Sequence, residues 1–298
     1  MDKAYIDLEV LWTERAQHAF DMCNKELKPD DFDAIVTVSG DGLIFEVVNG
    51  FLLREDWAEF KDKVTIGCIP GGTGNGLVKS ILANSSENYG VLEAAFKIAK
   101  GQRQHIDVTE ITGEYESRKI YSFLCVMWAI MSDIDINSEV IRCCGSSRFT
   151  VWGVYRVCCM RRYRGSFSCN GVRIHNRLQE PEGNDSPLLG DEEQRVPLEY
   201  SRNTFLHFVA QNVPWIAKDV NSCPLAKLDD GKNDVTVMTT ETQAGRCSLV
   251  RYLLGLDAGD YFNNTGQLNQ NLGMHYLKTS SWELDPQVKA NPPPQIAS

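Results

Sequence analysis

The chain has 298 residues and a formal net charge of -10, from 30 Lys and Arg against 40 Asp and Glu. This balance argues against a general nucleic-acid binder, so any basic surface must be local. The composition, 43% hydrophobic and 23% charged, is that of a globular protein with enough chain for about two domains. No signal-like start or long apolar run is present, and the ten cysteines lack zinc-type spacing. We therefore expect a soluble, intracellular protein with reduced thiols.

The first hundred residues alternate apolar strand patterns with helical patterns, which is typical of a parallel sheet covered by helices. The predicted strands are 6–11, 33–38 and 64–69, and the predicted helices are 14–25, 43–53, 75–82 and 90–100. The i, i+3, i+4, i+7 spacing of a buried face is clear in helix 43–53. These patterns indicate an α/β domain over residues 1–102.

Beyond His105 the pattern changes to short alternating segments, which indicate a second, mainly β domain over residues 103–286. Its predicted strands are 106–112, 119–126, 166–174, 204–211 and 234–240. The acidic, proline-containing stretch 178–199 is expected to be a mobile loop, and 287–298 an extended, disordered tail.

Positive charge is concentrated between Val140 and Gln179, a segment without any acidic residue. Its eight arginines are Arg142, Arg148, Arg156, Arg161, Arg162, Arg164, Arg173 and Arg177. In an acidic protein, such a segment indicates an anionic partner, either a nucleotide phosphate or an acidic membrane surface. The alternative is a solvated face with scattered ion pairs.

Two glycine-rich turns follow the second and third predicted strands. The first is Gly40-Asp41-Gly42, and the second contains Gly71, Gly72, Gly74 and Gly76. The second turn matches neither a P-loop nor a Rossmann fingerprint. The backbone N–H groups of the turns and the following helix nevertheless suit a phosphate, and ligands of open α/β sheets bind at the carboxyl ends of strands. Asp41 is then either a general base for an attacking hydroxyl or an ordinary turn residue.

Four stretches together carry a resemblance to a known family: "SGDGLIFEVVNG", "PGGTGNGL", "SDIDINSEVIRCCGSSRFT" and "RYRG". From Thr13 to about Pro286 the chain resembles the sphingosine kinases, members of the diacylglycerol-kinase-like lipid kinases. The resemblance implies an N-terminal α/β nucleotide-binding domain with diacylglycerol-kinase-type catalysis. It also implies a β-sandwich-like domain with lipid-binding helices, and an active site in the cleft between the two.

The resemblance also implies roles for individual residues. Asp41 would be the general base for the primary hydroxyl of the lipid. The other residues of the substrate-binding turn would be Ser39, Gly40 and Gly42. The ATP-binding residues would be Thr13, Arg15, Glu46, Gly72, Thr73, Gly74, Arg142 and Arg148. Mg²⁺ would bridge the phosphates, without an assigned protein ligand.

Asp135 is the residue expected to select the lipid. In the family, an aspartate here meets the cationic amine of a long-chain base, whereas enzymes acting on the neutral amide of ceramide carry an apolar residue. A buried ammonium needs an acidic partner. The alternative is an ordinary helix-start or surface carboxylate.

The segment 148–165 mixes apolar residues with arginines. It is expected either to lie on an anionic membrane, giving a cytoplasmic protein with peripheral membrane association, or to be a core face with snorkelling arginines.

Relative to the family pattern, the sequence lacks a first strand and phosphate loop and a C-terminal Asp-Gly-Glu segment, so we expect an incomplete nucleotide site. The first functional hypothesis is an ATP-dependent sphingosine kinase that forms sphingosine 1-phosphate. The alternatives are a ceramide or diacylglycerol kinase, and a catalytically impaired, truncated lipid-binding regulator. An NAD-kinase-type enzyme is disfavoured by the arginine-rich segment.

Overall fold

The structure is a computed structural model that describes residues 6–61, 63–113, 116–145, 147–174, 196–262, 267–286 and 295–297. Most of the predicted loop 178–199 and of the predicted tail 287–298 lies outside the described residues. The chain divides into two compact units. The first comprises Met1–Leu124, Ile216–Lys218 and Ala297–Ser298, and the second Cys125–Trp215 and Asp219–Ile296.

The first unit contains a two-stranded parallel sheet with helices and one hairpin. In chain order its elements are α1 (His18–Asp21), β1 (Ala34–Ser39), α2 (Asp41–Leu52), α3 (Trp57–Phe60), β2 (Thr65–Pro70), α4 (Gly76–Asn84), α5 (Val91–Lys100), β3 (Thr109–Gly113) and β4 (Glu116–Ser122). The predicted strands 33–38 and 64–69 are confirmed as β1 and β2, whose register runs from Ala34 opposite Thr65 to Ser39 opposite Pro70. Helices 43–53, 75–82 and 90–100 are confirmed as α2, α4 and α5.

Two predictions near the start of the chain are wrong. Residues 6–11 form no strand although their pattern is apolar, and the side chains of Leu8, Val10 and Leu11 are exposed. No described strand pairs with this segment, and an apolar pattern alone does not make a strand stable without such pairing. The predicted helix 14–25 is only the short α1 followed by a π-helical turn, Met22–Glu26.

The apolar face of α2 lies at the core of the first unit, where Val47 and Phe51 pack with Ala19 and Cys23. Asn49 ties α2 to the hairpin: its Nδ2 donates to Tyr121 O at 2.8 Å, and Tyr121 N donates to Asn49 Oδ1 at 2.8 Å. Hairpin β3–β4 therefore belongs with the first unit, and the chain divides after Leu124 rather than after residue 102.

The second unit is built on antiparallel strands. Its elements are β5 (Cys125–Ala129), α6 (Ile130–Ser138), α7 (Ser147–Cys158), β6 (Tyr163–Ile174), β7 (Val196–Gln211), β8 (Asn233–Thr239), α8 (Arg246–Gly255), β9 (His275–Pro286) and β10 (Gln295–Ala297), with 3₁₀ turns at Glu139–Cys144 and Gln270–Leu272. The strand order is β10-β5-β7-β6-β9-β8, and β7 also pairs with β8. The strands β6 to β9 therefore form a closed ring of pairings.

Aromatic side chains fill the core of the second unit. Trp128 on β5 lies against Phe205 with ring centroids 5.2 Å apart, and Phe167 on β6 meets Phe208 edge-on at 5.1 Å. The predicted strand 119–126 is in fact the end of β4 and the start of β5, separated by a bend at Phe123 and Leu124. The fold is thus mixed α/β, with parallel pairing in one unit and antiparallel pairing in the other. None of the helices described is long and apolar enough to span a membrane.

Candidate active site

The two glycine turns meet where β1 and β2 end side by side. Gly71 N donates to Ser39 O at 2.8 Å, which joins the turns directly after the last paired residues. A Cβ on Gly72 would lie 2.4 Å from Gly40 Cα, closer than any real contact of this kind. The backbones can approach this closely because neither glycine has a side chain.

Asp41 is the first residue of α2, and its side chain reaches the second turn. Its Oδ2 accepts a hydrogen bond from Gly76 N at 2.8 Å, and its Oδ1 accepts one from Leu77 N at 3.2 Å. The residue is only 6% exposed. Burial raises the pKa of this carboxyl above its usual value, while the backbone N–H donors act in the opposite direction. The structure therefore brings the predicted base against the predicted phosphate loop.

The N–H groups of the second turn are divided between two roles. Asp41 uses the first amides of α4, which is the end of the helix predicted to face a phosphate. Gly72 N donates to Asn75 Oδ1 at 3.1 Å, and Asn75 Nδ2 donates back to Gly72 O at 2.6 Å. The tip formed by Gly71, Gly72 and Thr73 is exposed. A phosphate would thus meet this tip before it could reach the amides at the start of α4.

Asn75 was missed by the sequence analysis. Its backbone is left-handed, with φ of 55°, a conformation in which Asn is among the residues most readily accommodated. Together with the two bonds to Gly72, it fixes the shape of the turn. In the sequence, the feature that could have identified this residue is an asparagine within a glycine-rich turn.

The other predicted nucleotide residues of the first unit make contacts elsewhere. Thr13 lies in an exposed segment without regular structure. Arg15 pairs with Asp21 at 2.6 Å. On α2, Glu46 Oε1 accepts from Gln17 N at 3.0 Å, and Glu46 Oε2 is buried without a hydrogen bond to the described residues. None of these contacts involves the glycine turns.

In the second unit, Asp135 lies half-buried on α6. Burial raises the pKa of its carboxyl, the charge of Arg148 lowers it, and the charge of Glu139 raises it. Arg148 itself pairs with Glu139 and lies over the ring of Phe149, 4.4 Å from its centroid. Arg142 is in the 3₁₀ turn Glu139–Cys144, and its side chain lies outside the described part of the chain.

A buried ionic cluster around Asp133 was also missed by the sequence analysis. Its Oδ2 lies 3.2 Å from Arg156 Nε and 3.4 Å from Arg161 Nη1, and it accepts a hydrogen bond from the Tyr163 hydroxyl. Asn137 Nδ2 donates to Asp133 Oδ1 at 3.3 Å. The partners of Asp133 on α7 and β6 are 23 to 30 residues away, so no local pattern could reveal this cluster.

This cluster also changes the interpretation of the arginine-rich segment. Arg148 and Arg156 have acidic partners within the second unit, and Arg161 pairs with Asp133 while remaining 54% exposed. The predicted need for an external anion therefore does not extend to every arginine of the segment. Arg177 lies outside the described residues.

Among the residues that the structure describes, no group of three or more His, Cys, Asp or Glu side chains could hold a metal ion. Mg²⁺ commonly keeps several waters and binds through one or two carboxylates together with substrate phosphates. Because the described side chains offer no such group, a Mg²⁺ ion at this site would be held largely by nucleotide phosphates and water.

Comparison with known proteins agrees with these features. Residues 1–111 match the diacylglycerol kinase catalytic domain. Sphingosine kinase 1 of Arabidopsis thaliana is 32% identical over 98% of this chain and 60% of its own length, and sphingosine kinase 1 of Caenorhabditis elegans is 27% identical over 86% of this chain and 64% of its own length. Sphingosine kinase 2 of Homo sapiens is 35% identical over 56% of this chain and 26% of its own length.

The solved structure of a diacylglycerol kinase from Bacillus anthracis str. Sterne shares the fold, with a TM-score of 0.56 at 17% identity, over 96% of this chain and 76% of that one. The chain spans 60% of the length of the Arabidopsis relative. Over nearly its whole length the chain is thus similar to sphingosine kinases, and its first 111 residues match the diacylglycerol kinase catalytic domain.

Proposed function

We propose that the protein transfers the γ-phosphate of ATP to the primary hydroxyl of sphingosine or a related long-chain base. The observation that carries the proposal is the carboxylate of Asp41, which is buried beside the second glycine turn and bound by Gly76 N and Leu77 N. A base held at a phosphate loop is what phosphoryl transfer to a hydroxyl requires. The similarity to sphingosine kinases supports a long-chain base as the lipid.

Each part of the first-unit site has a task in this reaction. The second turn, whose tip from Gly71 to Thr73 is exposed, binds the phosphates at Gly72, Thr73 and Gly74. The residues from Ser39 to Gly42 shape the side where the hydroxyl arrives. The Asp41 oxygens accept backbone bonds from Gly76 N and Leu77 N, and a carboxylate has further lone pairs that can take the hydroxyl proton. Burial raises the pKa of this carboxyl, which makes the carboxylate a stronger base. Mg²⁺ bound with the nucleotide would neutralise phosphate charge.

Asp135 supports a cationic lipid over a neutral one. Among the described residues, no ion pair involves its carboxylate, and burial raises its pKa. An ammonium placed beside it would relieve the cost of keeping this carboxylate ionised. We propose that Asp135 meets the amine of the long-chain base. Phosphorylation of ceramide or diacylglycerol is the second candidate, and it would leave Asp135 without a cationic partner.

We also propose peripheral association with a cytoplasmic membrane surface, since the substrate is a membrane lipid. In this proposal the second unit is the β-sandwich-like lipid-binding domain, and α6, which carries Asp135, is a lipid-contacting helix. Arg142 and Arg148 remain proposed ATP ligands, as do Thr13, Arg15 and Glu46.

The proposal is tested by phosphate transfer from labelled ATP with Mg²⁺ to sphingosine, ceramide and diacylglycerol in parallel. Asp41→Asn is expected to lower the transfer to sphingosine by about 10²- to 10⁴-fold, because the hydroxyl proton loses its acceptor. Thermal unfolding of the variant checks that the turns remain folded. Unchanged transfer by the folded variant would refute the assignment of Asp41.

Asp135→Asn provides the test of lipid choice. The variant is expected to raise KM for sphingosine, while any transfer to ceramide stays the same, because only the long-chain base has an ammonium. An equal loss with both lipids would show that Asp135 acts on the fold and not on the amine. Transfer to ceramide or diacylglycerol in preference to sphingosine by the unaltered chain would establish the second candidate instead.

A further inference from the structure

Helix α7 presents an apolar stripe to solvent. Val151, Val154 and Tyr155 are exposed by 56%, 61% and 48%. They follow the i, i+3, i+4 spacing of a single helix face, and position i+7 of the same face is Cys158, which is also exposed. Cys159, the next residue, is exposed as well. The stripe therefore ends in two adjacent thiols.

The opposite face of α7 fixes how the helix is oriented. Gly153 and Arg156 are buried on that face, and Arg156 pairs with Asp133 on α6. A Cβ on Gly153 would lie 3.6 Å from Ile134 Cδ1 and 3.8 Å from Leu253 Cδ1, so α7 packs closely on its neighbours there. Because this packed face cannot rotate outward without exposing an ion pair, the apolar stripe stays outward.

Charge indicates which partner the stripe fits. No acidic residue occurs between Val140 and Gln179, and the stripe is followed by Arg161, which is 54% exposed, and by the exposed Arg162. Apolar side chains bordered by cations, with no nearby acidic side chain in the sequence, fit the surface of an anionic lipid bilayer. In that arrangement α7 lies in the plane of the interface, and the thiols are at the level of the acyl-chain boundary.

We propose that Cys158 and Cys159 are sites of S-acylation by a long-chain acyl-coenzyme A thioester. The cysteine sulfur attacks the thioester carbonyl, a new carbon–sulfur bond forms, and the coenzyme A thiol leaves with the proton. Cysteines on an amphipathic helix at a membrane surface are typical sites of this modification. One acyl chain gives only marginal binding, and stable anchoring takes a second signal, supplied here by the other chain or by the arginines. The inference rests on the proposed membrane association and not on the kinase reaction.

The chain offers matched controls for this proposal. Cys143 and Cys144 form a second exposed adjacent pair, on the 3₁₀ turn, and Cys247 is exposed on α8. The full chain would be expressed in eukaryotic cells fed an alkynyl fatty acid, and the hydroxylamine-sensitive label on the protein would be measured. In Cys158→Ser/Cys159→Ser the label is expected to fall to background. It is expected to remain in Cys143→Ser/Cys144→Ser and in Cys247→Ser.

A second variant separates the apolar stripe from the thiols. Val154→Glu keeps both cysteines and is expected to lower the label several-fold, because the exposed stripe no longer binds an anionic surface. Absence of label on the unaltered chain, or label that survives in the Cys158→Ser/Cys159→Ser protein, would overturn the proposal. Binding of Val154→Glu to anionic vesicles at the unaltered level would overturn the stripe as the docking surface and point to a protein partner.

Failure of the kinase proposal would look different. Transfer of phosphate to sphingosine in detergent micelles is expected to be the same for the unaltered chain and for Cys158→Ser/Cys159→Ser, since neither thiol belongs to the proposed active site. An inactive chain that carries the acyl label would leave this inference intact and refute the kinase. An active chain without label would do the reverse.

Discussion

Asp41 in the first unit and Asp133 in the second are both buried carboxylates, exposed by 6% and 0%, but they have different partners. Asp41 is bound by the backbone N–H groups of Gly76 and Leu77. Asp133 is bound by side chains, among them the guanidinium groups of Arg156 and Arg161. Backbone donors hold a carboxylate in place without neutralising its charge, whereas two arginines neutralise it.

Because of this difference in partners, Asp41 is suited to accept a proton and Asp133 is suited to stabilise the fold. A proton acceptor benefits from a raised pKa and needs an available lone pair. Burial raises the pKa of Asp41, and its carboxylate has lone pairs beyond those that accept from Gly76 N and Leu77 N. Asp133 joins α6 to α7 through Arg156 and to β6 through the Tyr163 hydroxyl, so it is better placed to hold those elements together. The comparison can be tested by removing the ion pair of Asp133 and, separately, by disturbing the contact between the two glycine turns beside Asp41.

The largest effect on stability is expected for Asp133→Ala. The substitution leaves the buried Arg156 without its acidic partner, and loss of one member of a buried pair typically costs about 3–5 kcal/mol. Urea unfolding measures the difference. The matched control is Arg161→Gln, which removes a half-exposed partner of the same carboxylate and should cost less than about 1 kcal/mol. Equal costs for the two variants would contradict a structural role for the buried pair.

A smaller effect is expected when the glycine turns are forced apart. The Cβ introduced by Gly72→Ala would lie 2.4 Å from Gly40 Cα. Because Gly40 Cα is a backbone atom, the clash can be relieved only by moving one of the two turns. We expect a loss of about 1–3 kcal/mol in stability, as for other overpacked sites, together with a large loss of phosphate transfer. Gly113→Ala is the control, because a Cβ there meets nothing within 4 Å. A Gly72→Ala protein with unaltered activity would show that the turns need not touch.

The sequence predicted the elements whose signal is local. Strands β1 and β2, helices α2, α4 and α5, and the meeting of the two glycine turns all follow from short periodic patterns and from the parallel pairing of adjacent strands. Residues 6–11 have the same kind of apolar pattern but no described strand beside them, so the pattern did not decide their structure.

What could not be predicted depends on residues distant in the sequence. The ionic cluster joins Asp133 to Arg156 on the next helix, 23 residues away, and the Asn49 bonds that place hairpin β3–β4 in the first unit span 72 residues. The hydrogen bond from Gly76 N, at the start of α4, to Asp41 is also a tertiary contact, between residues 35 positions apart in the sequence. Helix-terminus chemistry predicted an anion there, but it could not distinguish a phosphate from the protein's own carboxylate.

A pH-dependent effect extends the comparison to a buried group that carries no charge. His207 on β7 is fully buried, with its Nε2 2.9 Å from Thr236 Oγ1, and burial lowers its pKa to about 3. In the unfolded chain its pKa is about 6.5, so between these values only the unfolded state binds the proton. Stability is therefore lost as the pH falls through this range, by up to about 1.4 kcal/mol for each pH unit.

His207→Gln removes this titration while keeping a side chain that can bond to Thr236. The free energy of unfolding of the variant should decrease less than that of the unaltered protein between about pH 6.5 and about pH 4. The comparison must be made between the two proteins, because burial raises the pKa of Asp234 to about 6, which changes stability in the opposite direction over the same range. Parallel stability curves for the two proteins would mean that His207 binds protons equally in the folded and unfolded states, and that burial does not keep this imidazole neutral.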